Sequence, residues 1–115
     1  MKIATIPIGY ADGFPRVLSN RSAVSISGNP APVIGRVCMD QIVVDVSEIE
    51  NVKPSDEVII FGGSEGAPTT DEFSALAGTI NYETVCLVGK RVPRIYIKNG
   101  KAVGQLNYVY NKYGQ

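Results

Sequence analysis

The sequence predicts an all-β domain, a closed or partly open β-barrel-like sheet that carries one short helix. Three observations predict it. Short runs rich in Val and Ile recur along the chain, Gly, Pro, Asn and Ser separate them, and one stretch alone has a helix signature. So many short strands leave edges that must be hidden, and curling the sheet on itself hides them.

The elements follow in order. Residues 3–8 read as a strand ending at Gly9, and Pro7 suits an edge position because it cannot donate to a ladder. Residues 11–21 (ADGFPRVLSNR) read as loop, and residues 22–27 (SAVSIS) alternate as a half-buried strand should. Gly28-Asn29-Pro30 is expected to turn the chain into APVIGRV at 31–37, with QIVVDV at 41–46 and EVIIFG at 57–62 as further strands. Pro54-Ser55-Asp56 turns between the last two, and Gly62, Gly63 and Gly66 mark a loose connection.

Thr69 and Glu72 are spaced as a capping box, in which hydroxyl and carboxylate each satisfy an otherwise unpaired backbone N–H. Phe73, Leu76 and Ala77 supply an apolar face, and Gly78 suits a left-handed C-cap, so a helix is predicted over about 70–77. Strand character returns at TVCLV (84–88), RIYI (94–97) and AVG (102–104), with Asn99-Gly100 as a type I′ hairpin turn.

A chain of 115 residues fits one domain, expected over 1–107 with 108–115 (YVYNKYGQ) as a tail. Eleven basic and eleven acidic residues cancel, which argues against the basic face that nucleic acid needs. The absence of histidine removes the commonest general acid/base and the commonest metal ligand. Cys38 and Cys86 stand far apart in no CxxC pattern, so a reduced cytoplasmic setting is expected. No apolar run approaches the ~20 residues of a membrane-spanning helix. The N-terminus has no signal-peptide pattern and opens directly into a strand, which suggests a domain cut from a longer protein.

Four segments carry more chemistry than a plain barrel needs. Ile8-Gly9-Tyr10-Ala11-Asp12-Gly13 with Phe14-Pro15-Arg16 reads either as a wide turn whose Tyr10 lids the core, or as an Arg/Tyr wall for an anion. In Gly35-Arg36-Val37-Cys38-Met39-Asp40-Gln41, Cys38 has no histidine to activate it, so a buried structural thiol is the better reading. Cys38 with Asp40 also falls short of a metal set, leaving backbone N–H groups aimed at an anion as the plausible chemistry. Gly78-Thr79-Ile80-Asn81-Tyr82-Glu83 reads as a helix-to-strand connection whose Tyr packs on the sheet, or as part of a site. Lys90-Arg91-Val92-Pro93-Arg94 is too small for a nucleic-acid site, and a solvated edge or a salt bridge is expected there.

TIPIGYADGFPR, APVIGRVCMDQIVVDV, the acidic helix running into TINYE, and RVPRIY occur in the order and near-spacing of bacterial alanine racemases, which the chain resembles over residues 4–97. The resemblance implies the C-terminal β-domain of a pyridoxal 5′-phosphate (PLP) dependent isomerase that interconverts L- and D-alanine for peptidoglycan. In such enzymes an N-terminal α/β barrel carries PLP on a lysine, and the cofactor acts as an electron sink. The homodimer is head to tail, each active site joining one subunit's barrel to its partner's C-terminal domain. The resemblance places neither catalytic base here: the lysine lies in the barrel, and the tyrosine in a Ser-Tyr-Gly motif before TIPIGYADG. The chain alone is therefore expected to be inactive and to bind no PLP.

Carried over position by position, Met39 offers its backbone N–H to the substrate carboxylate and Tyr82 faces the PLP phosphate at the inner gate. Tyr10, Arg16, Arg36, Asp40 and Ile80 match positions along the access corridor. Phe14 departs from the pattern, since many relatives have Trp there, and the tail matches no motif. Two other readings stay open: the same domain of a serine or broad-spectrum racemase, and a non-catalytic β-domain that binds a partner or a small anion.

Overall fold

A computed structural model describes residues 1–63 and 65–107, so the tail at 108–115 lies outside the described residues. Five strands, β1 (Ile3–Ile6), β2 (Ala23–Ile26), β3 (Asn29–Ile34), β4 (Ile42–Asp45) and β5 (Val58–Ile59), form one curled half-barrel sheet in the order β1-β4-β3-β2-β5. Two short helices follow, α1 (Thr70–Ala77) and α2 (Asn81–Cys86), and then a separate antiparallel hairpin of β6 (Arg94–Lys98) and β7 (Lys101–Leu106). The mostly-β, half-barrel fold class is the expected one.

Register explains which residues form the core. Ala4 faces Val44 across the β1–β4 ladder, Ile6 faces Ile42, and Val33 of β3 meets Val44 from the other side. These positions share the inner face, and Ile6, Val33, Ile42 and Val44 are all buried there. β1 is the edge strand, as Pro7 suggested, but it stops at Ile6. The next amide, Ile8 N–H, folds back to the Ile6 carbonyl at 2.8 Å and turns the chain out of the sheet.

Phe73 docks α1 onto the sheet. It meets Phe14 edge-on with ring centroids 5.5 Å apart and Phe61 at 4.9 Å. Residues 11–21, expected as loop, are irregular but not peripheral: Phe14 and Leu18 are among the most buried side chains. The α1 boundaries are the predicted ones. Thr69 Oγ1 accepts from Glu72 N–H at 3.1 Å, the Glu72 carboxylate accepts from Thr69 N–H at 2.8 Å, and Gly78 closes the helix at φ 76°.

Four expectations are corrected. The turn before β3 is Ser27-Gly28, not Gly28-Asn29-Pro30: Ile26 pairs with Asn29, and both turn residues have positive φ (54° and 78°) as a two-residue primed turn requires. SAVSIS is not half-exposed, because Ser25 is buried with its hydroxyl donating to the Glu65 carbonyl at 2.7 Å. EVIIFG pairs only over Val58–Ile59, against Ser25–Ile26, and Ile60 and Phe61 then pack sideways on the core. TVCLV is helical over most of its length rather than a strand. Thr84 is buried and its hydroxyl shares a 2.5 Å hydrogen bond with that of Ser74, while Asn81 Nδ2 donates to Asp71 at 2.7 Å, so contacts with α1 override local β propensity. The segment at 78–83 is accordingly a helix-to-helix corner.

Candidate functional site

The Gly9–Gly13 turn is the hub of the site. It closes as a single 3₁₀ turn over Tyr10–Asp12, with Asp12 N–H donating to the Gly9 carbonyl at 2.9 Å and the Asp12 carboxylate accepting from Gly9 N–H at 3.0 Å. On one side it is laced to the loop between β3 and β4. Tyr10 N–H donates to the Cys38 carbonyl and Ala11 N–H to the Met39 carbonyl, both at 3.0 Å. Gly9 is needed for this approach, since a Cβ there would overlap the Cys38 carbonyl oxygen and stand 2.5 Å from that of Met39.

On its other side the turn abuts the end of α2. Gly89 N–H donates to the Asp12 carbonyl at 3.0 Å, and a Cβ on Gly13 would come within 2.6 Å of the Leu87 carbonyl oxygen. The GYADG, VCMD and RVPR segments therefore meet around one turn, and the α2 end joins them.

Arg91 supplies the charge at this junction. Its Nε donates to Asp12 Oδ1 at 2.5 Å, and its Nη2 reaches Asp12 Oδ2 at 3.2 Å and Asp40 Oδ1 at 2.6 Å. Asp12 is 8% exposed, whereas the Arg91 side chain is 48% and the Asp40 side chain 63% exposed, so the bridge runs from the interior to the rim. The Arg91 guanidinium holds the Asp12 carboxyl below the usual carboxylate range, burial opposes this, and the Gly9 N–H adds to it. Arg91 is itself held further above its already high value by the two carboxylates. This is the salt bridge expected of the basic segment. Arg94 instead closes the turn that follows α2, donating to the Val88, Gly89 and Val92 carbonyls.

Tyr10 is 43% exposed on the hub turn and does not lid the core. Met39 is 53% exposed, its carbonyl taken by Ala11, and among the described residues no acceptor pairs with its N–H. Cys38 is exposed, not buried as expected, because its carbonyl rather than its thiol faces the hub. Its sulfur lies 3.7 Å from the Arg36 carbonyl. Tyr10, Met39 and Asp40 are thus gathered in one surface patch.

Ile80 and Tyr82 form a second group on the corner between α1 and α2. Ile80 precedes the first turn of α2, and Tyr82, 78% exposed, borders a shallow hollow with Gly62, Gly63 and Thr69–Asp71. Arg16, which opens a single 3₁₀ turn over Arg16–Leu18, and Arg36, in the loop between β3 and β4, are exposed without an ion pair among the described residues. Asp12, which the sequence did not single out as a site residue, is the group that Arg91 grips. The available signal was an acid and an arginine in two of the four over-specified segments.

The family model for the alanine racemase C-terminal domain matches residues 1–96. Alanine racemase 1 of Clostridium acetobutylicum is 53% identical over 108 residues, covering 93% of this chain and 28% of the relative. The chain thus spans little more than a quarter of the length of that relative. The solved alanine racemase of Clostridium difficile 630 superposes with a TM-score of 0.84 at 46% identity, covering 93% of this chain and 29% of that one. Alanine racemase from Bartonella henselae with covalently bound pyridoxal phosphate gives a TM-score of 0.72 at 40% identity, covering 83% and 27%.

Proposed function

The chain belongs to the alanine racemase C-terminal domain family, and from that membership we propose that it completes the active site of a PLP-dependent alanine racemase whose barrel domain lies elsewhere in the polypeptide. In this reading the domain spans residues 1–107 and works in a homodimer, against the barrel of its own subunit and of its partner, in the cytoplasm. No helix among the described residues is long and apolar enough to cross a membrane.

The observation that carries the reading is the laced junction of the Gly9–Gly13 turn with the Cys38–Asp40 loop. It fixes the Met39 backbone while leaving its N–H without an acceptor among the described residues, and such a main-chain donor can hold a carboxylate without a titratable group. Arg16, Arg36 and Tyr10 then supply cationic and phenolic walls for the approach of a small zwitterion, with Asp40 and Ile80 bounding the path.

The residues present fit one contact to PLP rather than its whole seat. The exposed Tyr82 hydroxyl can donate to a phosphate oxygen, while every described lysine is exposed on the surface, without the desolvated pocket that makes a lysine a carbonyl-binding nucleophile. When bound, the cofactor supplies the electron sink for loss of the α-proton. This chain's share is to orient the carboxylate at Met39, support the phosphate at Tyr82 and narrow the path to the reacting atoms.

The test uses the full polypeptide loaded with PLP, followed by chiral chromatography of L-alanine and L-serine turnover. Alanine racemisation is expected, and none from residues 1–115 alone. Met39→Ala keeps the amide and should change KM little. Met39→Pro removes the donor and should raise KM by the equivalent of ~1.5–3 kcal/mol in preparations with intact dimer and PLP content. Tyr82→Phe should weaken PLP retention by a similar amount. A parent that prefers serine points to the broader racemase reading. One that racemises nothing leaves a non-catalytic domain.

A further inference from the structure

We propose that Arg91 is a positioning residue for the substrate, tying the Gly9–Gly13 turn to the Cys38–Asp40 loop so that Met39 N–H is held toward the carboxylate and the charge of Asp40 beside it is offset. This rests on the reading of Met39 given above.

The geometry points to Arg91 for three reasons. Its planar fork reaches two acids from different loops at once, Asp12 and Asp40, which a lysine's single ammonium cannot do in the same way. Asp12 is an interior anchor, already committed to Gly9 N–H, so the fork is fixed at its buried end and reaches outward to the rim. Met39 is held on both flanks by this assembly: before it the Cys38 carbonyl accepts from Tyr10 N–H, and after it the Met39 carbonyl accepts from Ala11 N–H and the Asp40 carboxylate from Arg91.

Electrostatics adds to the positional argument. An arriving carboxylate meets Asp40, exposed and one residue from the donor it seeks. Left unpaired, Asp40 repels it; bridged by Arg91, that repulsion is largely cancelled at short range. Arg91 thus acts through its neighbours and need not touch the substrate.

The full PLP-loaded polypeptide carrying Arg91→Lys, Arg91→Gln, Asp40→Asn and the double variant Arg91→Gln/Asp40→Asn tests this. KM and kcat for L-alanine, PLP content and hydrogen exchange of the Tyr10 and Ala11 amides are measured on each. Arg91→Gln should raise KM about tenfold or more while kcat moves by less than about threefold, the split expected when ground-state binding is lost. Exchange at Tyr10 and Ala11 should speed up, Arg91→Lys should fall between wild type and Arg91→Gln, and Asp40→Asn should recover part of the KM lost in Arg91→Gln.

A tie that merely stabilises the fold would lower melting temperature and the active fraction and leave KM unmoved in every Arg91 variant, which overturns the proposal. If Arg91→Gln does not fold, Arg91→Lys decides: a raised KM supports the role and an unchanged one ends it. A wild-type polypeptide that does not racemise alanine removes the underlying reading and this proposal with it. An active parent with unmoved KM removes only Arg91.

Discussion

Asp12 takes two hydrogen bonds from Arg91 and one from Gly9 N–H while nearly buried, and its carboxyl is held below the usual range. A carboxyl whose folded pKa lies below its unfolded value, about 3.9, stabilises the folded chain at every pH above that value. The contribution disappears as pH falls through the folded pKa. Asp12→Asn should therefore cost about 2 kcal/mol at pH 7, less than the ~3–5 of breaking a fully buried pair because Arg91 is half-exposed. The gap in denaturant midpoint should begin to narrow below about pH 4 and close as pH falls through the folded pKa of Asp12. Asp45, also shifted downward through Ser47, is common to both and cancels in the difference. A constant gap from pH 7 to 3 would mean that Asp12 acts through packing rather than charge. A salt bridge of the basic segment could be expected from the sequence, but not its partner, since 79 residues separate Asp12 from Arg91. Composition shows an acid and a base, not their pairing.

At the scale of elements, legibility follows how local the determinants are. α1 could be read to its ends because its stop signals lie within the helix and one residue either side: Thr69 and Glu72 satisfy each other's N–H groups, and Gly78 takes the left-handed cap. The Asn99-Gly100 turn was legible for the same reason, with both residues at positive φ (52° and 77°). α2 was not, because its helical state depends on Thr84 and Asn81 meeting Ser74 and Asp71 ten residues away. Thr69→Ala should cost about 1 kcal/mol through lost capping. Gly78→Ala should cost about the same through backbone conformation alone, because no heavy atom beyond its own stretch of chain lies within 4 Å of the added methyl. The double variant should lose about 2 kcal/mol in denaturant melts, the ends being independent. A Gly78→Ala protein as stable as wild type would show that α1 ends equally well outside the left-handed region.

Over the whole molecule, stability is distributed unevenly. β2, β3 and β4 lie between neighbours, and Val24, Ala31, Val33, Ile42 and Val44 bury nearly all of their surface. Among the described residues β6 and β7 pair only with each other, and Ile95, Tyr96, Ile97 and Val103 remain more than half exposed. A two-stranded hairpin is marginal in water without a packed face, and such units open at lower free-energy cost than a core sheet. Its base is held by Arg94 through carbonyls of the turn after α2, which fixes where the hairpin departs but buries little of its apolar surface. Bonded β6 and β7 amides of this chain should therefore exchange with deuterium well before those of β2–β4, with the protection boundary falling near Arg94. Arg94→Gln should move that boundary back toward Gly89 and leave β2–β4 protection unchanged, because the Val88, Gly89 and Val92 carbonyls that Arg94 holds lie outside the five-stranded sheet. Equal protection of the hairpin and β2–β4 in the wild-type chain would sink this division, since it would require the hairpin to open only with the core.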